Sequence, residues 1–225
     1  MGIFSIPKDV EKEEVKDSLG GGNFVWNTGV YDVKITRAFI DKSRGGAISV
    51  NLTLETPEGK KLDITEYVTN KEGVNFYVDK KTGKKKLLPG LAKMNGLAEL
   101  LVGKPLEECE LEEKMVEVYD FDAGKRVTRP KQVIMDLLNV PAKVGIVKVI
   151  DWKNQDKTDT KEKNELDKVF DENGFTLAEK IAGEETPKFI EKYTESKKAD
   201  YVKDKTGGRA KSSTPSTPKN KKLPF

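Results

Sequence analysis

The chain has 225 residues, 36% apolar and 35% charged, with a net charge of +3, which allows one substantial core but leaves some segments too polar to join it. It contains no histidine and a single cysteine, Cys109, which excludes an intramolecular disulfide and a thiolate metal cluster and removes the commonest general base. From Lys203 onward the balance is +6, so the remainder carries −3, and any nucleic-acid site must come from local clustering rather than bulk charge. No apolar run approaches the roughly 20 residues that cross a bilayer, and the start of the chain is too polar for a signal peptide, so a soluble cytoplasmic protein is expected.

In chain order, residues 1–22 read as a charged arm ending in Gly20-Gly21-Gly22. A single β domain is expected over 23–152. Its opening stretch, Gly29 to Val68, has the period-two pattern of three consecutive strands. Tyr31, Val33, Ile35 and Phe39 are expected on one face of the first, with Asp32, Lys34 and Thr36 on the other. In the second, Ile48, Val50, Leu52 and Leu54 alternate with Ser49, Asn51, Thr53 and Glu55. Arg44-Gly45-Gly46 and Pro57-Glu58-Gly59 supply the turns of an antiparallel meander. Leu62 and Ile64 continue the buried face, which places Tyr67 on the wet side with Asp63 and Thr65.

A strand is expected over Asn75 to Asp79, then an exposed turn carrying Lys80, Lys81, Lys84, Lys85 and Lys86. Leu91, Met94, Leu97, Ala98 and Leu101 fall at helical spacing, ended by Gly103 and Pro105. Cys109 reads as a small buried thiol, and Glu107 to Glu113 as an acidic connection. Strands are expected at Met115 to Phe121 and Gln132 to Leu138, separated by a basic turn with Lys125, Arg126, Arg129 and Lys131, and a last strand at Val144 to Ile150. Three strands, a lysine loop, a helix and further strands match the order of an OB-type barrel, a partly open antiparallel Greek key with a capping helix. Residues 153–205 are expected to add helices, one opened by the Thr176/Glu179 capping box and one after Thr186-Pro187. Residues 206–225 have linker composition up to the apolar tip Leu223-Pro224-Phe225.

For function, there is no phosphate-cradling glycine motif and no nucleophile constellation, and the acids of 107–113 read as a solvated connection, so neither enzyme activity nor a cofactor is expected. A single-stranded polynucleotide needs cations for its phosphates and flat faces for its bases. Tyr67, Phe76 and Tyr77 are the candidate stacking residues. Trp26, Tyr119, Phe121 and Trp152 are further candidates, for each of which ordinary packing is the better account. The two basic turns would track the backbone.

The barrel pattern, the linker and the Pro224-Phe225 tip together resemble the single-stranded DNA-binding proteins of bacteria and their phages. The resemblance implies sequence-nonspecific binding of single-stranded DNA in replication, recombination or repair, with the tip recruiting partner enzymes. Where those tails carry acids, this one has Lys219, Lys221 and Lys222, which would add phosphate contacts. That difference, with the appended helices, points to a bacteriophage-encoded member acting in the host cytoplasm. Two other readings stay open: an OB-like adaptor using the tip and the acidic 107–113 segment to contact polymerase or recombinase subunits, and an RNA-binding protein.

Overall fold

The computed structural model describes residues 25–120, 123–154 and 156–207. The expected arm (1–22) and the tip Leu223-Pro224-Phe225 lie outside these residues. The chain is mainly β, built on an eight-stranded, largely antiparallel sheet that is not closed. Its central path runs β10 (Val202–Asp204), β8 (Pro141–Trp152), β1 (Gly29–Lys42), β2 (Ile48–Glu55) and β3 (Lys61–Tyr67). Off this path, β9 (Thr160–Phe170) pairs with β8, while the hairpin of β6 (Leu111–Asp120) and β7 (Lys125–Ile134) joins β1. A separate hairpin pairs β4 (Phe76–Val78) with β5 (Lys85–Leu87). No helix among the described residues is long and apolar enough to cross a membrane.

The meander forms in the expected register, with Ile64 opposite Leu52 and Leu62 opposite Leu54. Helix α1 (Pro89–Val102) packs Met94, Leu97 and Ala98 against Val33, Ile35, Val50 and Leu52 to form the main core. Gly103 ends the helix in the left-handed region at φ 74°, a conformation that glycine adopts without a Cβ clash. Cys109 is buried, and burial pushes its thiol pKa up. Between β3 and β9, which share no ladder, Lys93 of α1 reaches across to the Glu66 carboxylate and the Leu166 carbonyl, the latter at 2.6 Å. A side chain thus spans the place where a ladder would have closed the sheet.

Four expectations require correction. First, β1 carries a bulge: Ile35 lies opposite Leu54 and Arg37 opposite Thr53, leaving Thr36 unpaired. One extra residue reverses which face every later side chain takes. Phe39 therefore leaves the face of Val33 and Ile35 and packs with Val116 and Val133 in a second, smaller cluster. Second, β6 begins at Leu111 and β7 at Lys125, so Lys125, Arg126, Arg129 and Lys131 lie along a strand and not in a turn. Third, Lys85 and Lys86 likewise belong to β5. Fourth, the sheet does not stop at Trp152. β9 arises from the segment expected to be a helical extension and pairs with β8 from Lys143↔Phe170 to Trp152↔Thr160.

Helices α2 (Leu177–Ile181) and α3 (Phe189–Ser196) form where expected. Tyr193 of α3 is buried with its ring edge-on to Phe170 at 5.8 Å. Glu179 ties the two helices together by accepting from the backbone N–H groups of Thr176, Lys188 and Phe189. Burial pushes its carboxyl up, but these bonds and the Thr176 hydroxyl outweigh it and bring the pKa down from 4.5 to about 2. A carboxyl depressed on folding stabilises the native state above its unfolded pKa and loses that contribution as pH falls through the folded value. Glu179→Gln should therefore cost about 1 kcal/mol at pH 7. In thermal unfolding, the gap between variant and wild type should narrow as pH falls from 4.5 toward 2.

Candidate nucleic-acid interface

The outward side of the β1–β2–β3 meander is polar by alternation, and the bulge at Thr36 adds Arg37 to it. Arg37 donates through Nε to Thr53 Oγ1 at 2.9 Å, through Nη1 to the Glu117 carbonyl at 3.1 Å and through Nη2 to Asp63 Oδ1 at 3.3 Å. The Thr53 hydroxyl donates to Asp63 at 2.6 Å, and the Thr65 hydroxyl to Asn51 Oδ1 at 2.7 Å. One guanidinium thus fixes the β6–β7 hairpin over this face, enclosing a groove of about 320 Å³. The sheet contributes Arg37, Asn51, Asp63 and Thr65 to its lining, and the hairpin contributes Tyr119 and Arg126.

Tyr67 follows Asp63 and Thr65 in phase along β3 and is 52% exposed. Tyr119 on the hairpin is equally exposed. From the same end of the sheet as Tyr67 the chain continues into the β4–β5 hairpin. There Tyr77 is exposed, while Phe76 is half-buried with the Lys85 ammonium 4.5 Å from its ring centroid. The turn between these strands is organised by Asp79, which accepts from the backbone N–H groups of Lys81 and Thr82 and pairs with Lys86. The Lys86 ammonium, followed by those two N–H groups, holds the Asp79 carboxyl below its usual range. Lys80, Lys81 and Lys84 are exposed and have no ion-pair partner among the described residues.

The second basic cluster is different in kind. Arg126 pairs with Glu117 at 3.2 Å, Arg129 with Asp120, and Lys131 with Asp41. Lys125 has no ion pair among the described residues. Asp120 and Lys131 are largely buried in their pairs. The Arg126–Glu117 pair is exposed on both sides and such pairs are worth about 0–1 kcal/mol, so a polyanion could exchange for Glu117 at modest cost. Even so, three of the four cations of this strand begin neutralised, whereas those of the β4–β5 turn do not.

Trp26 does not belong to the interface. It is 3% exposed, lies 4.8 Å from the Tyr31 ring, and exchanges backbone hydrogen bonds with the Asn164 side chain of β9. Its apolar bulk anchors the entry of the chain into the core. A Trp152→Phe variant, which leaves Trp26 as the only tryptophan, should show blue-shifted emission that oligo-dT does not quench. Two groove residues are poorly marked in the sequence. Arg37 is placed by a bulge, whose trace is the unbroken run Ala38-Phe39-Ile40 where alternation should hold, and Tyr119 sits in a strand that could equally have buried it.

Among the described residues no group of three or more Cys, Asp or Glu side chains is arranged to hold a metal ion. No protein-family model matches the chain, and no curated protein matches it.

Proposed function

We propose that this protein binds single-stranded DNA without sequence preference, on an OB-type arrangement of β1, β2, β3, β8 and β9 with α1 beneath it. Bases would stack on Tyr67 and on Tyr119 across the groove. Phosphates would follow the β4–β5 turn through Lys80, Lys81 and Lys84, with Tyr77 beside them and the paired cations of β7 as a second, weaker track. The observation that carries this reading is Tyr67, an exposed aromatic on the polar face of the sheet where it has no packing role, followed along the chain by a hairpin turn with three exposed lysines that have no ion-pair partner among the described residues. The polar lining of the groove includes Asn51, Thr65 and Arg37 together with the carboxylates of Asp41, Asp63 and Glu117, a mixed set of donors and acceptors suited to varied base edges rather than to one sequence. Such binding requires no covalent chemistry and no cofactor. Its natural setting is the protection and presentation of single strands in replication, recombination or repair, and the resemblance noted above, through the basic tail and the appended helices, favours a phage protein working in the cytoplasm of its host.

Replacing Lys80, Lys81 and Lys84 together by alanine tests the electrostatic half. Each phosphate contact to a single strand contributes about 0.7 to the slope of log affinity against log salt. The triple variant should therefore bind fluorescent oligo-dT more weakly at low salt, with the slope reduced by about 2. An unchanged slope would remove the turn from the interface.

A further inference from the structure

A second groove, of about 590 Å³, lies between α1, the start of β6 and the base of the β4–β5 hairpin. Its floor includes Ile40, Leu91 and Leu106, and its rim carries Leu87 and Leu111, which are 48% and 47% exposed. Glu99 and Glu107 also line it. Neither carboxylate has an ion-pair partner among the described residues, and Glu99 meets only the Asn95 amide, at 2.6 Å. The groove shares no lining residue with the candidate nucleic-acid groove.

We propose that the segment Lys219–Phe225 of this same chain docks here. An apolar groove bordered by carboxylates that have no ion-pair partner among the described residues is complementary to a peptide that combines cations with apolar anchors. This segment supplies Lys219, Lys221 and Lys222 directly before Leu223-Pro224-Phe225. Pro224 fixes its own φ and has no N–H to leave unsatisfied in an apolar groove. The chain from Gly207 to Lys219 can reach about 40 Å, beyond the radius of a domain of this size. The other apolar segment outside the described residues, Ile3-Phe4-Ser5-Ile6, is followed by Asp9, Glu11, Glu13 and Glu14 against Lys8 and Lys12, a net negative charge that the groove carboxylates would repel. A second copy would bring the same acidic rim against itself.

The test uses the full chain with Leu223→Ser and Phe225→Ser, so that its own tip cannot compete. A fluorescent peptide of residues 216–225 should bind it saturably, below about 1 mM. Leu87→Glu or Leu111→Glu added to that chain should weaken binding by about tenfold or more. Both side chains are half exposed, so these variants should keep the wild-type thermal midpoint. Joint replacement of Glu99 and Glu107 by glutamine should weaken binding and lessen its salt dependence. Oligo-dT affinity, measured on the same proteins, should be unaffected by Leu111→Glu, which separates this result from the fate of the nucleic-acid reading. Failure to saturate, binding that survives both leucine substitutions, or tighter binding by a peptide of residues 2–14 would each overturn the assignment.

Discussion

Tyr67→Ala should weaken oligo-dT binding by roughly tenfold or more, because a stacked base contributes about 1–3 kcal/mol and about 1.4 kcal/mol is a factor of ten. The ring is 52% exposed at the end of β3, so its loss removes little packing and the thermal midpoint should hardly move. Tyr67→Phe keeps the flat face and should retain most of the affinity. That pattern, alanine weak and phenylalanine near wild type, separates stacking from a hydroxyl contact. Tyr119→Ala should show a similar loss, and the double variant should lose close to the sum if the rings take different bases. Equal affinity for wild type and Tyr67→Ala would mean that the strand does not cross this face.

The second large effect should come from Gly90→Ala. Gly90 is the second residue of α1, and a Cβ placed on it would lie 2.1 Å from the Tyr67 carbonyl oxygen and 3.0 Å from its carbonyl carbon. Backbone atoms of a sheet strand cannot swing aside as the end of a long side chain can. The helix or the strand end must shift, a form of overpacking that costs about 1–3 kcal/mol. For a chain of this size the thermal midpoint should fall by roughly 5 °C. Because the displaced carbonyl belongs to Tyr67, oligo-dT affinity should fall as well, without any change to the ring. A variant with wild-type stability and affinity would mean that the contact between α1 and β3 is looser than the structure has it.

The meander, α1 and both later helices are legible in the sequence, since each follows from apolar period or capping chemistry that depends only on neighbouring residues. The bulge at Thr36 is hidden because a one-residue slip preserves the apolar content of the strand while exchanging its faces, so simple alternation puts Phe39 on the wrong side. β9 is hidden for another reason. Of its eleven residues only Leu166, Val169 and Phe170 are apolar; the backbone ladder to β8 and the burial of Leu166 and Phe170 hold it, while its charged residues pair across the strands, Lys148 with Glu162 at 2.8 Å and Lys163 with Asp151 at 2.7 Å. Charge complementarity between strands leaves no periodic signal along one of them. The site is legible in part: phase alone places Tyr67, and composition marks the lysine turn. Trp26 misleads because an aromatic near a strand start gives no sign of its burial, and the strand partners that seal it, such as Asn164, lie far along the chain.

The most direct test of the central claim is a competition titration. Fluorescent oligo-dT bound to the full-length protein is challenged with unlabelled oligo-dT, oligo-rU and duplex DNA of equal length, at low and at high salt. Oligo-dT should displace the probe far better than duplex, and all binding should weaken as salt rises. Displacement by duplex as effective as by the single strand would contradict the account.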